Sequence, residues 1–109
     1  MGNGFHVSTE RVYDDSWRVT ATGELDVATA GYFEAAMAQV VDSDLSLIEV
    51  DLGGLSFIGA EGARLLTEAM AACQAQGRTL VVVAVSSFVR RVFSLTGLID
   101  QIERPPTPV

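Results

Sequence analysis

The side chains best placed to do chemistry lie in one short stretch. Gly59-Ala-Glu-Gly-Ala-Arg64 is followed one turn later by Glu68. Glu61, Arg64 and Glu68 have the spacing of one helix face. A helix that starts at the 59–62 turn carries unpaired backbone N–H groups and a partial positive charge. Such a turn suits an anion or a regulatory side chain. The turn lacks the Lys and Ser/Thr of a P-loop, so nucleotide binding of that kind is not expected. Glycines 53, 54, 59 and 62 fit tight turns and close packing. The nearest hydroxyl is Ser56, within the 53–60 loop that precedes the helix. Asp26, three residues before Thr29, reads as the cap of a second helix start.

Other reactive groups are isolated. His6 lies near the N-terminus, with no second histidine in the chain and no cysteine nearby, which argues against a metal site. Cys73 is the single cysteine and cannot form an internal disulfide. Its setting, Ala-Met-Ala-Ala-Cys-Gln, is helical and apolar, so it reads as core. One histidine and one buried thiol assemble no nucleophile–base pair. The carboxylates are many but scattered, which disfavours paired-carboxylate catalysis. The residues on their own therefore disfavour an enzyme, and no metal or cofactor is expected.

With 109 residues the chain is one domain, able to bury a core. Apolar residues make up 49% of it, too many for a disordered chain. The net charge of -7 opposes phosphate contacts and so excludes nucleic acid as the natural partner. Arg90-Arg91, the sole basic cluster, reads as a solvated helix face. An acidic surface suits protein partners with basic patches. No apolar run reaches membrane-helix length and no secretory signal is visible, so no membrane role and a cytoplasmic location are expected.

The hydropathy pattern supplies the elements that would hold these groups. Residues 5–13 and 17–25 read as a hairpin, the second strand alternating Trp17, Val19, Ala21, Gly23 and Leu25 against Arg18, Thr20, Thr22 and Glu24. A helix begins over 26–29 and carries Tyr32, Phe33, Ala36, Met37 and Val40 on one stripe. Residues 46–52 read as a strand and 60–76 as a helix. On that helix Gly62, Leu66, Ala69, Met70 and Cys73 face inward, and Glu61, Arg64, Glu68 and Ala71 outward. Gly77 fits its stop. Residues 79–85, nearly all aliphatic, fit a strand buried on both faces of a parallel sheet. Ser86 or Ser87 caps a third helix with Val89, Val92 and Phe93, ending at Gly97. Ile99 and Ile102 fit a short edge element. Residues 1–103 form the domain and 104–109 a Pro-rich flexible tail. The order β-β-α-β-α-β-α predicts an α/β fold with a small mixed sheet.

Four collinear segments resemble the STAS domain of bacterial anti-sigma factor antagonists. They are Gly23-Glu-Leu-Asp-Val-Ala-Thr-Ala30, Ile48-Glu-Val-Asp-Leu-Gly-Gly-Leu-Ser-Phe-Ile58, Gly77-Arg-Thr-Leu-Val-Val-Val83 and Val89-Arg-Arg-Val-Phe-Ser-Leu-Thr-Gly-Leu98. The resemblance covers roughly residues 5 to 102 and implies a STAS-like single domain. It also implies a switch protein. Its partner would be an anti-sigma factor of the histidine-kinase-like serine kinase type, with a phosphatase of the same pathway resetting it. The family loop carries Asp-Ser-Ser-Gly or Asp-Thr-Ser-Gly, and its second hydroxyl residue is phosphorylated. The matching residues here are Gly59, Ala60, Glu61 and Gly62.

The resemblance thus places Glu61 where the acceptor hydroxyl would stand. Glu61 is either a permanent stand-in for phosphoserine or a helix-start residue that favours the dipole. Asp26 is matched to a partner-contacting residue, a role compatible with capping. The expected partner surface is Asp26, the 59–64 segment and the exposed face with Glu68 and Ala71. Two alternatives share the fold. One is a STAS module of a lipid or ABC transporter complex. The other is a ligand-sensing domain whose loop cradles a nucleotide or anion.

Overall fold

The computed structural model describes residues 4–13, 15–43 and 46–97. Strands β1 (His6–Tyr13) and β2 (Ser16–Leu25) form the antiparallel hairpin. Helix α1 (Ala30–Val41), β3 (Leu47–Ile58), α2 (Ala60–Ala75), β4 (Thr79–Val85) and α3 (Ser87–Thr96) follow. The sheet order is β1-β2-β3-β4, with β2–β3 and β3–β4 parallel. This is the predicted α/β architecture, element for element. The expected edge element at Ile99 and Ile102 and the tail at 104–109 lie outside the described residues.

The period-2 pattern sorts the two sheet faces. Val19, Ala21 and Leu25 of β2 and Ile48, Val50 and Leu52 of β3 are buried. They meet Phe33, Met37 and Val40 of α1, Leu66 and Cys73 of α2, and Val89 and Phe93 of α3 in one core. The intervening residues Arg18, Thr20, Thr22, Glu49 and Asp51 are only half-buried. On that face the Arg18 guanidinium grips the Glu49 carboxylate, Nε at 3.0 Å and Nη2 at 2.8 Å, which raises the pKa of Arg18. Burial pushes the Cys73 thiol pKa up, as its core position requires.

Three boundaries differ from expectation. Strand β3 runs through the two glycines to Ile58, where a 53–60 loop was predicted. Register shifts against β2, between Thr20 and Thr22 and again between Gly23 and Glu24, absorb the irregularity and keep the strands paired. Strand β4 is not buried on both faces. It is an edge strand of the described sheet, and Val83 is 46% exposed, because helices cover one face only. Helix α1 starts at Ala30, with Thr29 at the N-cap position instead of Asp26.

The far ends of the helices are tied together. After α2, Arg78 N–H donates to the Cys73 carbonyl and Gly77 N–H to that of Gln74, with Gly77 at φ 72°. This is a Schellman stop, and the left-handed position accepts glycine without strain. The Arg78 guanidinium then donates to the Val40 and Val41 carbonyls, the last of α1. One side chain therefore satisfies the end of α1 and fixes it beside the end of α2.

Candidate functional site

The candidate site is the rim where β2 and β3 end and α1 and α2 begin. Leu25 and Ile58 are register partners at the strand ends. Gly59 N–H donates to the Leu25 carbonyl at 2.9 Å, which anchors the second turn to the first. Helix α2 starts at Ala60, inside the predicted window. Its first turn lies tight on the strands. A Cβ at Gly62 would come within 2.7 Å of two Leu25 side-chain carbons and 3.1 Å of an Ile58 carbon.

Asp26 forms a turn of its own. Its Oδ1 accepts from the N–H groups of Ala28, at 3.0 Å, and Thr29, at 3.1 Å. The Thr29 hydroxyl accepts from Asp26 N–H and donates to the Glu24 carbonyl. The carboxylate thus closes the turn ahead of α1 instead of capping the helix itself. This turn presents Val27 to solvent, 84% exposed.

Glu61 stands in the first turn of α2 and is held by Arg64. Arg64 Nη2 donates to Glu61 Oε2, and Arg64 Nη1 to Glu68 Oε2 at 2.6 Å. The three residues form a ladder at i,i+3 and i,i+4 on an exposed helix face. Arg64 lowers the pKa of Glu61, and the two carboxylates raise that of Arg64. Glu61 is therefore ionised at neutral pH, and its charge is locally offset by a guanidinium.

Ser56 is placed differently from expectation. It belongs to strand β3, and its hydroxyl donates to the Gly23 carbonyl of β2 at 3.2 Å. The structure thus brings Asp26, Gly59, Ala60, Glu61 and Gly62 to one rim. Arg64 and Glu68 extend it down α2, and Ser56 is turned to the neighbouring strand. Sequence reasoning missed Phe57 and Phe88. Their rings stack at 5.6 Å between centroids and remain 38% and 43% exposed. Phe57 lies against Gly59, whose Cβ would meet its ring at 3.4 Å. A visible signal existed for Phe88, since it falls off the Val89, Val92 and Phe93 stripe. Among the described residues no group of three or more His, Cys, Asp or Glu side chains could hold a metal ion. No described helix is long and apolar enough to cross a membrane.

Comparison with known proteins decides the family. The model of the STAS domain matches residues 9–108. The chain belongs to the STAS domain family. Among similar proteins, an anti-sigma-B factor antagonist of Staphylococcus epidermidis is 28% identical over 88 residues, covering 81% of this chain and 82% of the relative. The crystal structure of an anti-sigma factor antagonist from Mycobacterium paratuberculosis shares 28% identity at a TM-score of 0.78. That match covers 100% of this chain and 90% of the other. The unphosphorylated form of the anti-sigma factor antagonist SpoIIAA gives the same TM-score of 0.78 at 22% identity, over 89% and 85% of the two chains. This last likeness is one of fold. The STAS fold thus carries here a rim built from two adjoining helix starts, with a glutamate clamped by Arg64 at the second.

Proposed function

We propose that this STAS domain is an anti-sigma factor antagonist. It docks an anti-sigma factor on the rim formed by Asp26, the 59–62 turn and the exposed Phe57–Phe88 pair. The observation that carries the reading is the Gly59–Leu25 bond, which makes the two helix starts one continuous surface. Two relatives at 28% identity bear the name anti-sigma factor antagonist and match most of the chain. The partner class that fits the loop's resemblance is a serine kinase of the histidine-kinase-like type. A stacked, half-open aromatic pair beside a charged turn has the composition of an interface anchor.

On this reading the rim does not cycle. Residues 59–62 offer no hydroxyl to accept a phosphoryl group. A phosphoserine would bring about -1.5 to -2 charges and three acceptor oxygens. Glu61 brings one charge, and Arg64, which it shares with Glu68, already offsets part of it. The rim therefore stays competent to bind, a phosphatase has no substrate on it, and abundance controls the interaction.

The experiment is a titration against the anti-sigma factor kinase of the host, with and without ATP, followed by mass spectrometry. Equal affinity in both conditions and no phosphate uptake are expected. Glu61→Ser should acquire phosphate and release the partner when ATP is present. Stoichiometric phosphate on Ser56 of the unaltered chain would relocate the switch and overturn the proposal. So would the absence of binding to any kinase of this type.

A further inference from the structure

A second surface lies away from the rim, between α1 and α2. It is a groove of about 250 Å³, open along one side. Its floor is apolar: Met37 and Val41 from α1, Leu65 and Ala69 from α2. Met37 and Leu65 are core residues whose edges reach the groove, and Val41 and Ala69 are half-buried. Its rim is acidic. Glu34 and Asp42 stand at either end of the α1 wall and Glu68 on the α2 wall. Glu34 and Asp42, the residue that caps α1, are eight positions apart, a span of about 12 Å.

The charge of this groove selects its occupant. Every ionisable group lining it is a carboxylate. The two nearby guanidinium groups are already engaged, Arg64 with Glu61 and Glu68, and Arg78 with the last carbonyls of α1. Glu34 and Asp42 have no side-chain hydrogen bond or ion pair among the described residues. A second copy of the chain, at -7, would meet like charge. Nucleic acid and anionic membranes are opposed by the same sign. A basic segment with an apolar stripe satisfies both the floor and the rim.

We infer that the α1–α2 groove is a docking site for a basic amphipathic helix of a partner protein. Apolar side chains at i and i+4 of that helix lie over the floor, beside the small residues Ala38 and Ala69. Lysines or arginines flanking the stripe reach Glu34 and Asp42. The wall spacing is preset, because Arg78 fixes the end of α1 next to the end of α2. This inference does not rest on the anti-sigma reading; the groove shares only Glu68 with the ladder that extends the rim.

The test uses the full chain, labelled with nitrogen-15, and a synthetic Leu/Lys amphipathic helix of about five turns. Amide shifts confined to 34–42 and 65–69 are expected. The double neutralisation Glu34→Gln/Asp42→Asn should weaken binding about tenfold. The same charge change made elsewhere, Glu10→Gln/Asp15→Asn, should weaken it less than about twofold. Ala38→Trp, which fills the groove without altering charge, should also abolish the confined shifts. A scrambled peptide of the same composition should not produce them. Equal losses in the two neutralised variants, or shifts spread over the whole acidic surface, would overturn the proposal. Equal binding of the scrambled peptide, or undiminished binding to Ala38→Trp, would do the same.

Discussion

Helices α2 and α3 begin in opposite ways. The start of α3 is complete in itself: Ser86 Oγ accepts from Val89 N–H at 3.3 Å, and Gly97 closes the other end in the left-handed region. The start of α2 has glycine at its N-cap and no side-chain cap. What holds α2 is packing and one backbone bond to the end of β2. The capped start of α3 offers a partner only the exposed ring of Phe88. An uncapped one leaves first-turn N–H groups to solvent or to whatever docks, and here it adjoins Asp26 and the Phe57–Phe88 pair. The contrast places an uncapped turn at α2 and a capped one at α3, whose Phe88 ring is its contribution to the rim.

The largest effect should come from breaking the packing that replaces a cap in α2. Gly62→Val places carbon where Leu25 and Ile58 already stand. Overpacking costs about 1–3 kcal/mol, against roughly 0.5 kcal/mol of improved helix propensity. A net loss near the upper end should lower the melting temperature by roughly 10 °C. A melting temperature equal to that of the parent would show that α2 can slide outward, and the rim would not be rigid. Next in size is Ser86→Ala, which removes the cap that α3 relies on. It should cost about 1 kcal/mol in chemical denaturation and leave the start of α2 unaltered.

The same contrast explains what could be read in the sequence. Order and type of every element followed from apolar period and turn residues, because both reflect local chemistry. The α3 start was legible to within Ser86 or Ser87, since a serine cap is a property of neighbouring residues. The end of β3 was not. Gly53-Gly54 reads as a turn, and only the register shifts in the pairing with β2 keep those residues extended. Strand β4 misled for a related reason, since a run of aliphatic residues does not reveal which face the helices cover. The role of Asp26 was displaced because its carboxylate serves the turn one step before the helix. The spacing of Glu61, Arg64 and Glu68 was visible, but the direction in which Arg64 folds was not. Phe57 and Phe88 meet across 31 residues, and no pattern in either segment announces the contact.

A smaller effect sharpens the electrostatic side of the comparison. Arg64 holds the pKa of Glu61 below the ordinary glutamate value of about 4.3. A carboxyl whose pKa is lowered on folding stabilises the protein above its unfolded pKa. That contribution disappears as pH falls through the folded pKa. In Arg64→Gln the Glu61 midpoint, read from carboxyl carbon shifts by NMR, should rise towards the ordinary value. Acid melting curves of parent and variant should converge below both midpoints. An unchanged Glu61 midpoint would mean that the ladder does not persist in solution. Glu61 would then present an unmasked charge, and the case for phosphoserine mimicry would revive.

The smallest predicted effect tests the contrast at its centre. Gly59 is extended, with φ -96° and ψ -179°, a conformation open to any residue. A Cβ there would meet only the Phe57 ring at 3.4 Å and the Leu25 carbonyl at 3.8 Å, both ordinary contacts. Serine should therefore fit, and its hydroxyl could accept from the first turn of α2 as Ser86 does in α3. Glycine is itself a tolerable N-cap, so Gly59→Ser should gain only a few tenths of a kcal/mol, about 1 kcal/mol better than Gly59→Ala. Denaturant midpoints of the three proteins measure this. Serine above glycine above alanine would show that the N–H groups at the start of α2 are open to a ligand atom. Serine no better than alanine would show that the turn cannot present a cap to them, and the difference between the two helix starts would be one of backbone shape instead of an omitted side chain.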